Sequence, residues 1–284
     1  MGADERLQIG RRVGNDLLAE LMAVRVKFLQ LVFRQVDPQQ LLMPGLINCH
    51  THIYSALARG LSIKGNNPTT FYEVLDGTWW NIDRHLDLAA TRASAYATVL
   101  DCIKQGVTTI FDHHASFCEI PGSLFQIAEV TKELGMRACL CYEVSDRDGE
   151  EKSLQSVKEN ADFITYCEKN PSDMLKALFG GHALFTISDK TFDRMNEANN
   201  GRVGYHIHVS EGMNDVYDSL QNYGRRPVQR LQDHGILGEK TLLGHCIHGR
   251  RPRGSESRRQ ILHAGVSPDQ EVYARRRPGA GNGH

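Results

Sequence analysis

The sequence lacks the marks of several large classes of protein. Its formal net charge is −1 at pH 7, so bulk charge gives no support for a nucleic acid or an anionic membrane as a partner. The seven cysteines are scattered and include no Cys-x-x-Cys pair, which favours a reduced cytoplasmic protein over a disulfide framework or a zinc ribbon. No Gly-x-Gly-x-x-Gly follows a predicted strand, which weakens a dinucleotide-binding interpretation.

A signal peptide and a long apolar run are also missing. Residues 1–6 carry acidic side chains and no apolar core, unlike the start of a secretory signal. The apolar stretch at residues 17–33 contains Glu20, Arg25 and Lys27, which makes it a poor membrane span. We therefore expect a cytoplasmic protein with no membrane partner.

Strand-like and helix-like patterns alternate through the middle of the chain. The alternation repeats six times before residue 249 and predicts a parallel sheet, either a closed (β/α) barrel or an open doubly wound sheet. Polar residues collect at the carboxyl ends of the predicted strands, where a barrel places its active site. The predicted strands begin at Leu46, Val107, Met136, Leu175, Val203 and Thr241.

Two histidines end the first predicted strand, behind a Pro-Gly turn. Side chains alternate between the faces of a strand, so His50 and His52 point the same way. Two imidazoles on one face at a strand end can take adjacent positions around one divalent metal. Strands also carry ordinary hydrogen-bonded histidines, so the pair alone is a weak signal.

The stretch at residues 43–52, Met-Pro-Gly-Leu-Ile-Asn-Cys-His-Thr-His, resembles the first barrel strand of the metal-dependent amidohydrolase superfamily, of the deaminase and chlorohydrolase type. The resemblance covers residues 42–248 and implies a (β/α)8 TIM-type barrel, here incomplete, with about six βα units and without the C-terminal units. It also implies one divalent metal, zinc or alternatively iron, bound by His50 and His52. A homodimer is a further expectation from the family.

The segment His206-Ile207-His208-Val209-Ser210-Glu211 ends the fifth predicted strand. The resemblance makes His208 the third metal ligand and Glu211 the proton shuttle. A carboxylate can take a proton from an activated water and pass it to a leaving nitrogen. Alternatively, Glu211 is a carboxylate favoured by the dipole at the start of a helix.

Four further histidines have roles implied by the resemblance. His245 ends the sixth predicted strand and would stabilise the tetrahedral intermediate, although a histidine packed in the strand is the alternative. His182, His113 and His114 are the implied substrate contacts. The segment that starts at Asp112, Asp-His-His-Ala-Ser, resembles a branch of aminohydrolases linked to selenium metabolism, the SsnA type.

The loop at residues 53–86 contains both tryptophans. A long aromatic loop after a barrel strand is typical of a pocket wall or lid. A separate hydrophobic cluster would give the same pattern.

The two ends of the chain depart from the family pattern. Residues 1–41 predict a helical segment where the superfamily carries a small β-sandwich, and residues 249–284 form a basic tail rich in glycine and arginine, with no convincing strand. The tail predicts disorder, or less favourably an RNA-binding segment. We favour the hypothesis that both ends are out of their ancestral reading frame or are fusion scars. The family's last ligand, an aspartate on the eighth strand, has no convincing counterpart, since no strand precedes Asp269.

These features predict a metal-dependent hydrolase that acts on carbon–nitrogen bonds other than peptide bonds in a small molecule. The expected reaction is hydrolytic deamination of an amino-heterocycle by a metal-activated water. The alternative is a catalytically impaired, truncated remnant or a non-catalytic metal-binding module.

Overall fold

The computed structural model describes residues 43–248 and, for the backbone alone, one short strand at Leu262–Ala264. The predicted helical segment at residues 1–41 and the rest of the predicted tail lie outside the described residues. Within the described part of the chain, no helix is long and apolar enough to cross a membrane.

The described β-strands pair in parallel throughout. They are β1 (Leu46–Thr51), β2 (Val107–His114), β3 (Arg137–Tyr142), β4 (Leu175–Ala177), β5 (Phe179–Ala183), β6 (Tyr205–Val209), β7 (Leu242–His245) and β8 (Leu262–Ala264). Hydrogen bonding gives two four-stranded sheets, in the orders β1-β2-β3-β4 and β5-β6-β7-β8. Leu178 alone separates β4 from β5, and its N–H donates to the Leu140 carbonyl at 3.1 Å. Val144 also bridges to Gly181, so the two sheets continue into each other along β3.

The continuous sheet curves until distant strands face each other. The ring centroids of His50 on β1 and His245 on β7 are 5.2 Å apart. In a flat sheet, five strand spacings would separate these strands by about 24 Å. The curvature therefore excludes an open doubly wound sheet and produces a barrel-type interior.

Helices connect the strands, as the apolar spacing predicted. Asp87 caps the start of the helix Leu88–Lys104, because its side chain accepts a hydrogen bond from the Ala90 N–H at 2.7 Å. Pro227 begins the last helix, where its missing N–H is no loss. The helices are α1 (Phe71–Val74), α2 (Trp80–Asp83), α3 (Leu88–Lys104), α4 (Ser123–Glu133), α5 (Glu150–Lys169), α6 (Asp189–Asn199), α7 (Met213–Tyr223) and α8 (Pro227–Asp233).

One glycine in β5 permits a close approach between strands. A Cβ atom on Gly180 would lie 2.2 Å from the carbonyl oxygen of Tyr142, well inside van der Waals contact. Only glycine therefore lets β5 pack against the end of β3 at this point. The approach brings the end of β5, with His182, close to Glu143 just beyond β3.

A strand occurs after His248, where the sequence pattern predicted none. Leu262, His263 and Ala264 pair in parallel with residues 242–244 of β7. Three residues are too few to show an alternating pattern in the sequence. The open edge of β7 supplies their hydrogen-bond partners, so the sheet has one strand position beyond the six that were predicted.

Candidate active site

The three predicted metal ligands come together at the carboxyl ends of β1 and β6. One ring nitrogen each of His50, His52 and His208 lies within 4.8 Å of the other two. Strand alternation puts the two β1 histidines on one face, and the curvature of the sheet places His208 opposite them. This is a spacing that one divalent ion can bridge.

The ring nitrogens that face each other in this cluster are available for a metal. Nδ1–H of His52 donates to the carbonyl oxygen of His113 at 2.8 Å, which leaves Nε2 with a lone pair. Nε2 of His50 and Nε2 of His208 are buried and have no hydrogen-bond partner among the described residues. A buried nitrogen without a partner is costly, and a bound cation removes that cost. The donor set fits a divalent metal of the zinc type.

The surroundings keep these imidazoles neutral, the form that binds a metal. Burial lowers the pKa of His52 to about 4, and the charge of His113 adds to the effect. Burial and the neighbouring histidines also hold the pKa values of His50 and His208 well below the ordinary value. Protons therefore compete weakly with a metal at neutral pH.

A protonated carboxyl group lies beside the histidine cluster. Oε2 of Glu211 is 3.4 Å from Nε2 of His245. Burial raises the pKa of Glu211 to about 8, and the nearby carboxylates of Asp215 and Glu143 add to the shift. Glu211 therefore carries a proton at neutral pH that it can give to a ligand.

Left-handed backbone conformations occur at and beside Glu211 and His245, where the two side chains turn towards the cluster. Ser210, His245 and Cys246 have φ angles of 51°, 65° and 55°. L-residues rarely adopt this region, and such conformations concentrate at functional sites. The Cys246 N–H donates to the Val209 carbonyl at 2.8 Å, which holds the ends of β6 and β7 together in this strained arrangement.

Two of the predicted substrate contacts, His182 and His113, lie in the cluster. Nδ1 of His182 is 2.8 Å from the Thr186 hydroxyl, and Nε2 faces the interior, 3.4 Å from a carboxyl oxygen of Glu143. The His113 ring centroid is 4.4 Å from that of His208. Nε2–H of His113 donates to the carbonyl oxygens of Gly181 and His206 at 3.0 and 3.1 Å, which ties β2 across the barrel.

The structure does not bring His114 together with the ligand histidines. It follows His113 on β2 and therefore points to the other face of the strand. Its Nε2 is 3.0 Å from the Ser116 hydroxyl, and its ring centroid is 5.6 Å from that of Tyr142. This geometry favours a packing role for His114 over the predicted substrate contact.

A buried ionic cluster that the sequence motifs did not indicate borders the site. The Glu143 carboxyl oxygens lie 3.3 Å from Nδ1 of His113 and 3.4 Å from Nε2 of His182. Arg147 donates to Glu143 at 2.9 Å and also contacts Asp83. Burial alone would raise the pKa of Glu143, but His182, Arg147 and His113 outweigh it and hold the pKa well below its ordinary value. The sequence did contain a signal for Glu143 as a site residue, because it is a polar residue at the carboxyl end of a predicted strand.

The aromatic segment after β1 forms one wall of a cavity beside the cluster. The rings of Trp80 and Phe185 lie 5.8 and 5.9 Å from the ring of His182. Phe71 and Leu75 of this segment line the cavity, which supports the predicted pocket wall. The cavity has an apolar side formed by Phe71, Leu75 and Phe185, and a polar side formed by His182, His208 and Glu211.

Buried histidines at the carboxyl ends of a barrel-type parallel sheet, beside a buried carboxyl group, define a barrel protein with a candidate metal site. Within that class, the chain belongs to the Amidohydrolase family, whose profile matches residues 41–273. This confirms the family that the sequence motifs indicated.

The curated relatives are about twice as long as the matched region. A 5-methylthioadenosine/S-adenosylhomocysteine deaminase of Thermococcus onnurineus is 31% identical over 205 residues, covering 72% of this chain and 46% of the relative. A 5'-deoxyadenosine deaminase of Methanobrevibacter smithii is 29% identical over 209 residues, covering 73% of this chain and 46% of the relative. The chain spans about half the length of the curated relatives it matches.

Solved structures confirm the fold. An adenosine deaminase from Xanthomonas campestris with bound zinc has a TM-score of 0.61 and 21% identity, covering 72% of this chain and 44% of that chain. Atrazine chlorohydrolase TrzN from Arthrobacter aurescens TC1, complexed with zinc, has a TM-score of 0.58 and 21% identity, covering 74% and 50% of the two chains. The described strands thus form part of a TIM-type barrel, as predicted.

Proposed function

We propose that the protein of which this chain is part is a zinc-dependent aminohydrolase that removes an amino group from a nitrogen heterocycle as ammonia. The observation that carries the proposal is the buried carboxyl group of Glu211, with Oε2 3.4 Å from Nε2 of His245, beside the cluster of three histidines. The reaction class is supported by the curated relatives, which are described as deaminases of 5'-deoxyadenosine and of 5-methylthioadenosine or S-adenosylhomocysteine. An adenine-type ring is therefore the preferred substrate class.

His50, His52 and His208 are the residues that would hold the metal. A zinc ion bound there supplies a water molecule whose pKa is lowered towards neutrality. Iron is the alternative for a donor set rich in imidazole.

Glu211 is placed to move protons during the reaction. Its carboxyl group would donate a proton to a ring nitrogen, and the resulting carboxylate would accept a proton from the water that attacks the adjacent carbon. Delivery of that proton to the amino nitrogen would let the carbon–nitrogen bond break and ammonia leave, while the added hydroxyl returns its proton to Glu211 as the carbonyl forms. His245 lies where it can stabilise the charge that develops on the added oxygen.

The lining of the cavity suits a flat ring with polar edges, because it combines apolar and polar side chains. Phe71 and Phe185 offer apolar surfaces against which a heterocycle can pack. Nδ1 of His182 bonds to the Thr186 hydroxyl, and Nε2 lies on the polar side of the cavity, 3.4 Å from Glu143.

Further properties remain proposals of the same kind. All seven cysteines are free, which supports a reduced, cytoplasmic location. The homodimer and the selenium-linked branch rest on the family resemblance alone. The alternative of an impaired remnant or a non-catalytic metal-binding module has no support among the relatives described above, which are deaminases.

Ammonia release by the zinc-loaded chain tests the proposal. The panel contains adenosine, 5'-deoxyadenosine, 5'-methylthioadenosine, guanine, cytosine and an aminotriazine. We expect turnover of at least one compound, loss of turnover in His208→Ala, and no change in His85→Ala, which replaces an exposed histidine bonded to the Asn81 carbonyl. Tight zinc binding without ammonia from any compound would instead favour the metal-binding module.

A further inference from the structure

His206 lies on the same face of β6 as His208. It is not one of the three candidate metal ligands, but it contacts one of them, His50. Its Nε2 is 2.8 Å from Nδ1 of His50, and its side chain is fully buried. Its Nδ1 is 3.7 Å from Sγ of Cys141. Sγ of Cys141 is 3.3 Å from the carbonyl oxygen of Asp112. A buried series of hydrogen-bonded groups therefore runs from His50 away from the histidine cluster.

The Asp112 carbonyl at the far end of this series sets the direction of each hydrogen bond in it. A carbonyl oxygen only accepts, so the Cys141 thiol donates to it. The sulfur then accepts from Nδ1–H of His206, which leaves Nε2 of His206 as an acceptor for Nδ1–H of His50. A neutral imidazole has one N–H, so Nε2 of His50 keeps its lone pair. That atom is the one that is buried without a hydrogen-bond partner among the described residues.

We propose that His206 is a positioning residue that sets the tautomer and ring orientation of His50 for metal binding. The inference rests on the metal site of the proposed function. His52 has a comparable support from the backbone carbonyl of His113, which no side-chain substitution removes. His206 supplies the same support through a side chain, and loss of such a partner typically weakens metal binding 10- to 100-fold. Of the two histidines of β6, His208 would bind the metal and His206 would orient His50.

Zinc affinity of the full chain, measured by competition with a chromophoric chelator, tests this role. His206→Met removes the acceptor at similar volume and should weaken zinc binding about 10- to 100-fold. His206→Gln can place an amide oxygen near the position of Nε2 and should stay close to the wild-type affinity. The matched control is His114→Met, which removes a buried histidine bonded to Ser116 and should leave zinc affinity unchanged.

Two further measurements separate positioning from folding. The visible absorption of bound cobalt(II) reports the ligand geometry, and it should change in His206→Met but not in His206→Gln. The thermal midpoint of the metal-free variants reports the fold. If His206→Met fails to fold, His206→Asn takes its place, because its shorter amide does not reach His50 and should also weaken zinc binding.

The outcomes also separate this inference from the proposed function. Wild-type affinity in His206→Met, or equal weakening in His206→Met and His206→Gln, overturns the positioning role while leaving the metal site intact. A wild-type chain that binds no zinc overturns both proposals. Zinc binding that depends on His206, without ammonia release from any substrate, supports the positioning role and contradicts only the proposed function.

Discussion

Oε2 of Glu211 lies 3.4 Å from Nε2 of His245, where β6 and β7 end side by side with Val209 paired to His245. An exposed glutamate would be ionised at neutral pH. Burial and two nearby carboxylates raise the pKa of Glu211 to about 8, so here the carboxyl group keeps its proton. The pairing of two strand ends thus creates a proton donor next to the histidine cluster.

Replacing Glu211 by glutamine should separate proton transfer from metal binding. Glu211→Gln keeps the size of the side chain but cannot transfer a proton, so kcat should fall about 10²- to 10⁴-fold. Zinc affinity should change little, because Glu211 is not one of the three histidine ligands. Steady-state kinetics and zinc titration check both expectations, with Glu197→Gln on the exposed face of α6 as control. A kcat within tenfold of the wild type would contradict the proton-shuttle role.

The pKa of Glu211 also predicts how the stability of the metal-free protein depends on pH. The folded-state pKa of about 8 lies above the ordinary value of 4.5, so the folded chain binds the proton more tightly than the unfolded chain. This contribution to the free energy of unfolding is fully present below about pH 4.5 and is lost as pH rises through 8.

Urea denaturation in a chelating buffer at pH 5 and pH 8 measures this effect. The wild type should lose roughly 3 kcal/mol more than Glu211→Gln over this interval. Other buried carboxyl groups, including Asp83 with its pKa raised to about 8 mainly by burial, contribute to both proteins and cancel. Parallel losses in the two proteins would show that Glu211 is ionised throughout.

The buried cluster around Arg147 should be essential for stability. Arg147 is 4% exposed and contacts the carboxylates of Glu143 and Asp83. Arg147→Met leaves the buried Glu143 carboxylate without its cation and the Asp83 carboxyl group without its partner, which should cost about 3–5 kcal/mol of the free energy of unfolding. Arg92→Met is the matched control, because its partner Glu129 is 65% exposed and such pairs contribute less than about 1 kcal/mol. Similar losses in the two variants would contradict this difference.

Gly180→Ala should disturb the junction between β3 and β5. The added methyl group would lie 2.2 Å from the Tyr142 carbonyl oxygen, so one of the strands must move. We expect a loss of at least about 2 kcal/mol in denaturant unfolding. At Gly238 the nearest atom to an added Cβ is Thr241 Oγ1 at 4.0 Å, and Gly238→Ala should change stability by less than about 1 kcal/mol. Equal stability of the two variants would show that β5 can shift without cost.

That His50 and His52 share one face was predictable from the sequence for a physical reason, whereas the choice of His208 as a candidate ligand came from the family resemblance. The period of two in a strand fixes which residues share a face, and parallel strands bring their carboxyl ends to one edge. The same rule argues against His114 as a substrate contact, because a residue next to His113 faces the other side. Strict alternation along β2 is therefore enough to separate these two histidines.

Glu143, Arg147 and His206 could not be assigned with the same rule. Their roles depend on partners from other strands, and His206 and His50 are 156 residues apart in the chain. β8 is a similar case, since its three residues form a strand because the edge of β7 is there to pair with them.

The sequence by itself determined the alternation of strands and helices, the faces on which side chains lie and the family to which the chain belongs. These properties follow from local periodicity and from motifs of a few residues. Only the tertiary structure decided which histidines meet in one cluster, which ring nitrogens are buried without a hydrogen-bond partner among the described residues, and that burial raises the pKa of Glu211. Those properties depend on burial and on distances between strands, which exist only once the sheet has curved and closed around its polar residues.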